Sequence, residues 1–258
     1  MARLFKLGYS TLTWGPTADL DQVLGTMAAA GWEGVEFIGL SLDWLGPPVR
    51  VRRLLDKHGL PAVCMLGSAS LGGDAAQALE RQYRLIEYGA ELGARVYCFL
   101  GGNRVGLRLP TDEEFRQLAE QGEALIDHAA PYGMTVAYHA HPRCTVESEA
   151  EQDQLLSHSQ RLQVCVDVSV AALMGEDVLG QLRKYRHRLG YVHMKDCGPG
   201  KFCLMGKGNA GLDFGAVRQT LEEIGYQGWV MGELSSYADT AADESCRANR
   251  DFLRSVGY

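Results

Sequence analysis

The sequence predicts an α/β protein, a (β/α)8 TIM barrel built as a single domain over residues 1–258. Two observations lead there. Short apolar runs alternate eight times with helical segments along the chain. The runs are continuous rather than alternating, as in parallel strands covered on both faces. A length of 258 residues suits one such barrel. A doubly wound open sheet is the rival fold, but no Gly-x-Gly-x-x-Gly turn follows the first strand.

The elements follow in order. The first strand is Phe5–Ser10, followed by Thr11–Gly15. Asp19 opens a helix whose apolar positions Leu20, Val23, Leu24 and Met27 recur at helical spacing. Gly34–Ile38 is the second strand and Val49–His58 the second helix. Pro61–Leu66 is the third strand, and Ala75–Leu92 a long amphipathic helix closed by Gly93. Arg95–Leu100 is the fourth strand. The helix over 112–130 starts with Thr111 as N-cap and Glu114 three residues on, a capping-box pattern. Thr135–His141 and Leu162–Asp167 are the fifth and sixth strands, with helices Glu149–Ser157 and Val178–Arg186 after them. Gly190–Lys195 is the seventh strand, Phe214–Ile224 the next helix, Gly228–Glu233 the eighth strand and 240–254 the closing helix. The glycine-rich loops Ser68–Asp74 and Gly101–Leu109 are placed to cover the mouth.

Composition narrows the function. A net charge of −7 without any Lys/Arg run argues against nucleic acid as the main partner. No apolar run has the length of a membrane span and no signal-peptide pattern opens the chain, so a cytoplasmic location is expected. The seven cysteines include no C-x-x-C pair, and Cys64, Cys98 and Cys165 fall inside apolar strands, where the residue packs as a small hydrophobe.

The chemistry gathers at strand ends. Asp167, His193 and Glu233 each close a run of apolar or small residues. Burying any of them costs several kcal/mol unless a partner compensates. One alone is explained by an ion pair; three on successive strands of a barrel converge near its axis, where a divalent cation compensates all of them. An Asp/Glu/His set without cysteine suits Mn²⁺, Co²⁺ or Mg²⁺ better than structural Zn²⁺. The fifth strand offers His139 and His141, which alternate and so share a side, and then Glu147. Glu36 ends the second strand, as a hydroxyl binder or an ion pair low in the barrel. Trp14 is a sugar-facing wall or a core residue. Lys207 reaches a ligand from its glycine-rich loop or stays solvated.

The segments Tyr138-His139-Ala140-His141, Val146-Glu147-Ser148, Tyr191-Val192-His193-Met194-Lys195-Asp196 and Gly208–Phe214 resemble the xylose isomerase-like barrel superfamily. Within it they are most similar to inosose (2-keto-myo-inositol) dehydratases. The resemblance implies a divalent metal, Mn²⁺ first and Co²⁺ or Mg²⁺ next, held by Glu147, Asp167, His193 and Glu233. It implies a carbon–oxygen lyase acting on a keto-inositol or related keto-sugar by β-elimination through an enediolate. His139 or His141 would move the proton, and Lys195 would face the developing oxygen charge or else pair with Asp196. The alternatives are a ketose isomerase or epimerase, or a 3-keto-glycoside eliminase, on the same site; a non-catalytic sugar-binding barrel is the reading from another class. A homo-oligomer is expected by analogy alone. Two departures stand out. His139 occupies the place of a usual Glu, and Val170 that of a second His.

Overall fold

The computed structural model describes residues 4–39, 42–104, 106, 108–198, 200–234 and 240–258. Its sheet is a closed barrel of eight parallel strands. In chain order the elements are β1 (Lys6–Ser10), α1 (Leu20–Ala30), β2 (Val35–Ile38), α2 (Leu42–Leu45), α3 (Pro48–His58), β3 (Ala62–Ser68), α4 (Ala75–Leu92), β4 (Val96–Leu100), α5 (Asp112–Ala129) and β5 (Thr135–His139). Then come α6 (Glu149–Ser157), β6 (Gln163–Asp167), α7 (Val168–Leu173), α8 (Val178–Lys184), β7 (Leu189–Met194), the hairpin β8 (Asp196–Gly198) and β9 (Lys201–Cys203), α9 (Phe214–Glu223), β10 (Trp229–Gly232) and α10 (Ala242–Ser255). Around the barrel the order is β1-β10-β7-β6-β5-β4-β3-β2. Among the described residues no helix is long and apolar enough to cross a membrane.

Local chemistry sets the helix ends. The Asp19 carboxylate accepts from the amides of Asp21 and Gln22 and starts α1. Thr111 and Glu114 form the reciprocal capping box of α5, and Gly93 ends α4 in the left-handed region at φ 85°. The apolar runs close into two nested layers. Cys64, Leu66, Cys98, Ala137, Tyr191 and Met231 fill the inside of the barrel. Outside it, residues such as Leu24, Phe37, Met65, Tyr97, Val192 and Leu253 pack strands against helices.

Besides the additional short helix α2, three elements depart from the sequence expectation. Strand β5 ends at His139 rather than His141, because the His141 amide turns to the Val146 carbonyl and Arg143 adopts φ 68°. Helix α7 follows β6 directly, since Asp167 caps it with its own side chain. The hairpin β8–β9 stands where only a loop was expected.

Gly8 on β1 shows how tightly the layers meet. A Cβ there would lie 2.5 Å from Met231 Cε and 2.9 Å from the Gly34 carbonyl oxygen, which is fixed backbone. Gly8→Ala is expected to cost about 1–3 kcal/mol of stability, read from the urea midpoint. An unchanged midpoint contradicts this packing.

Candidate metal centre

Four side chains from four strands of the barrel meet at the carboxyl ends of the strands. His139 and Asp167 are the last residues of β5 and β6, His193 lies one residue before the end of β7, and Glu233 directly follows β10. In the sheet register Asp167 stands directly beside His193. One ligand atom from each of the four lies within 4.8 Å of the others, and all four side chains are buried.

Their contacts fix the ring tautomers. His139 Nδ1 donates to the Ala140 carbonyl at 2.8 Å, and His193 Nε2 donates to Glu36 Oε2 at 2.9 Å. With an ion bound, each ring in its neutral form would present its lone pair on the other nitrogen. Those nitrogens, His139 Nε2 and His193 Nδ1, face each other at 3.1 Å. Asp167 Oδ2 stands 3.5 Å from the first and Glu233 Oε1 3.8 Å from the second. Four electron-rich atoms around one point require a cation or extra protons between them. A histidine held from behind by a carboxylate or carbonyl is the usual arrangement of a metal ligand.

The electrostatics point the same way. Burial pulls His193 down, yet Glu36, Cys165 and Glu233 outweigh it and hold the ring well above its usual 6.5. Burial likewise lowers His139, and Cys165 and Asp167 bring it net upward. Burial raises Asp167 and Glu233, but Lys195 and the imidazoles hold both carboxyls well below the carboxylate range. The Lys195 ammonium bridges Asp167 and Glu233. The buried centre thus gathers two imidazoles and the carboxyl groups of Asp167 and Glu233 around the Lys195 ammonium, with Glu36 behind His193.

Around this centre the chain adds a frame. Asp167 Oδ1 accepts from the Ser169 amide at 3.0 Å, the Val170 amide at 3.1 Å and the Ser169 hydroxyl at 2.5 Å, leaving Oδ2 for the cluster. Asp196 does not pair with Lys195. Its carboxylate accepts from the amides of Cys197, Gly206 and Gly208 and holds the glycine-rich loop. Phe202 of β9 lies over Lys195, ring centroid 4.4 Å from Nζ, and 5.9 Å from the His141 ring. His141 Nδ1 donates to the Pro142 carbonyl at 3.0 Å, so Nε2 keeps the lone pair.

Other expected residues lie elsewhere. Glu147 is not brought to the cluster; Arg104 Nε at 2.9 Å and the Arg143 amide at 3.0 Å hold its carboxylate on the loop after β5. Glu36 sits fully buried behind His193 rather than at the mouth. Trp14 donates from Nε1 to Asp243 at 2.7 Å and meets Tyr9 edge-on. Lys207 is exposed. The loops after β3 and β4 border a cavity of about 670 Å³ lined by Ile38, Leu66, Ser68, Leu100, Asn103 and Arg104; none of the four cluster residues lines it. The sequence offered no sign of Phe202 or Arg104, which act through loop geometry alone.

His141 gives a pH test. Burial, with His139 and Lys195, pushes it from 6.5 down to about 4. Between those values the unfolded imidazole binds a proton that the folded one refuses. Its contribution is therefore complete above pH 6.5 and is lost as pH falls to 4. The advantage of wild type over His141→Phe in unfolding free energy should shrink by roughly 2–3 kcal/mol between pH 7 and pH 4. Parallel pH profiles contradict the assignment.

The chain matches the family described as Xylose isomerase-like TIM barrel over residues 24–256. It is 30% identical to an inosose dehydratase of Clostridium botulinum (strain Alaska E43 / Type E3), across 88% of this chain and 89% of that protein. It is 26% identical to the rhizopine catabolism protein MocC of Rhizobium meliloti, across 88% of this chain and 81% of that protein. Among solved structures, the apo 3-keto-D-glucoside 4-epimerase of E. coli superposes with a TM-score of 0.79 at 20% identity, covering 98% of each chain. That last likeness is one of fold.

Proposed function

The chain belongs to the xylose isomerase-like TIM barrel family, and from that premise we propose a divalent-metal-dependent isomerase or epimerase of a keto-sugar. The carrying observation is the pair of imidazole nitrogens facing each other at 3.1 Å between two carboxyl groups. His139, Asp167, His193 and Glu233 would hold the ion. Two nitrogens and two oxygens without a thiolate suit Mn²⁺ first, then Co²⁺ or Mg²⁺. When bound, such an ion supplies Lewis-acid polarisation of a ketone and its neighbouring hydroxyl.

The remaining work falls to the protein. His141 is neutral at pH 7, with its Nε2 lone pair free of the Pro142 bond, and removes the proton from the carbon beside the ketone. The resulting enediolate is met by the fixed ammonium of Lys195, which Asp167 and Glu233 hold in place. Glu233 follows β10 and His141 follows β5, with β6 and β7 between them around the barrel. Phe202 covers Lys195 and keeps the charges in a low-dielectric setting.

A second reading shares the first step. Loss of a β-hydroxyl from the same enediolate makes the enzyme a keto-inositol dehydratase. The 24–30% identical relatives named inosose dehydratase favour it, as does His139 standing where epimerases carry a carboxylate.

The test is incubation of the purified protein in D₂O with ketohexoses, 3-keto-glucosides and keto-inositols. Deuterium should enter the carbon beside the ketone, chelation should stop it and Mn²⁺ restore it. His141→Ala should lower turnover by about 10²–10⁴ while the ion stays bound. Enone absorbance in place of an exchanged isomer assigns the dehydratase reading. No exchange and no enone with any substrate overturns both.

A further inference from the structure

Directly beneath the ligand cluster lies a second set of metal-competent side chains that the proposed chemistry does not use. Cys64 of β3, Cys98 of β4 and Cys165 of β6 belong to the inner layer of the barrel and are buried as free thiols. The sulfurs of Cys98 and Cys165 and a nitrogen of His193 lie within 4.8 Å of one another. Two buried oxygens close by, Glu36 Oε1 and the Tyr191 hydroxyl, have no oxygen or nitrogen partner. The ionisable groups around that hydroxyl are Cys64, Glu36, Cys98 and Cys165. Buried polar atoms are normally satisfied, and thiols are weak donors and acceptors. A single buried cysteine packs as a small hydrophobe. Two thiols and an imidazole at coordination spacing, beside two oxygens that meet the Cys64 thiol rather than an oxygen or nitrogen, make a cradle.

We propose that Cys98, Cys165 and His193 form a second site, for a soft d¹⁰ cation such as Zn²⁺ or Cd²⁺, and that its occupation opposes the cluster above it. Bonds of about 2.3 Å to sulfur and 2.0–2.1 Å to nitrogen put the ligand atoms of a tetrahedral ion ~3–4 Å apart, within the observed spacing. Thiolates select such ions over Mn²⁺ or Mg²⁺. On binding, the two thiols release their protons to solvent and the two thiolates neutralise the cation. His193 cannot serve both sites. If the soft ion takes Nδ1, the upper cluster loses a ligand; if it takes Nε2, the Glu36 bond that orients the ring breaks.

The experiment titrates Cd²⁺ into the purified chain loaded with Mn²⁺. A thiolate-to-cadmium absorption band should saturate at one ion per chain, with Mn²⁺ released and detected by its solution paramagnetic resonance signal. Cys98→Ala and Cys165→Ala should each weaken Cd²⁺ binding, read from the band, by about 100-fold or more. Cys203→Ala, on the hairpin, should leave the band in place. Circular dichroism confirms folding, and Cys98→Val is read if Cys98→Ala does not fold. A band that persists in the folded Cys98 and Cys165 variants overturns the proposal. So does a folded wild-type chain that gives no band, whether or not Mn²⁺ is released. A band in a chain that never held Mn²⁺ supports the thiol site while counting against the hard-ion reading, so the two fail separately.

Discussion

Everything at the mouth of this barrel depends on four buried ligand atoms crowded at one point. His139 and His193 are each fixed from behind, by the Ala140 carbonyl and by Glu36, so neither ring can turn without breaking a bond. Asp167 is fixed by the first turn of α7. The strands cannot separate, because each is locked in a closed parallel sheet. Scaffold rigidity therefore concentrates negative potential at one point. A cation relieves it, and Lys195 already relieves part. Stability and chemistry are coupled here: the arrangement that makes the unliganded centre costly is the one that would hold an ion in fixed geometry.

The barrel itself was largely legible in the sequence. Continuous apolar runs at regular intervals leave few alternatives, and a charged residue ending such a run has to be explained. Asp167, His193 and Glu233 are visible on that ground alone. From the sequence Lys195 belongs equally to the site or to a pairing with Asp196; the structure gives Asp196 to the loop amides and Lys195 to Asp167 and Glu233.

Other parts were hidden for identifiable reasons. A motif orders residues along the chain without saying where a strand lets go. Strand β5 releases its chain at His139, and the left-handed turn at Arg143 carries Glu147 to Arg104 instead of to the axis. Helix α7 is hidden because its cap is a residue already claimed by the site, Asp167. Glu36 reads equally as a hydroxyl binder or as an ion pair low in the barrel until the depth of β2 is known; at its actual level it pairs with His193. The hairpin carrying Phe202 has short strands of three residues each, too brief for periodicity to register.

An anomalous-scattering map from crystals of the wild-type chain soaked in Mn²⁺ bears most directly on the shared-cation account. The account predicts one manganese peak at about 2.0–2.4 Å from His139 Nε2, Asp167 Oδ2, His193 Nδ1 and Glu233 Oε1. Manganese seated on Glu147, or a saturated crystal with no peak among these four atoms, would contradict it.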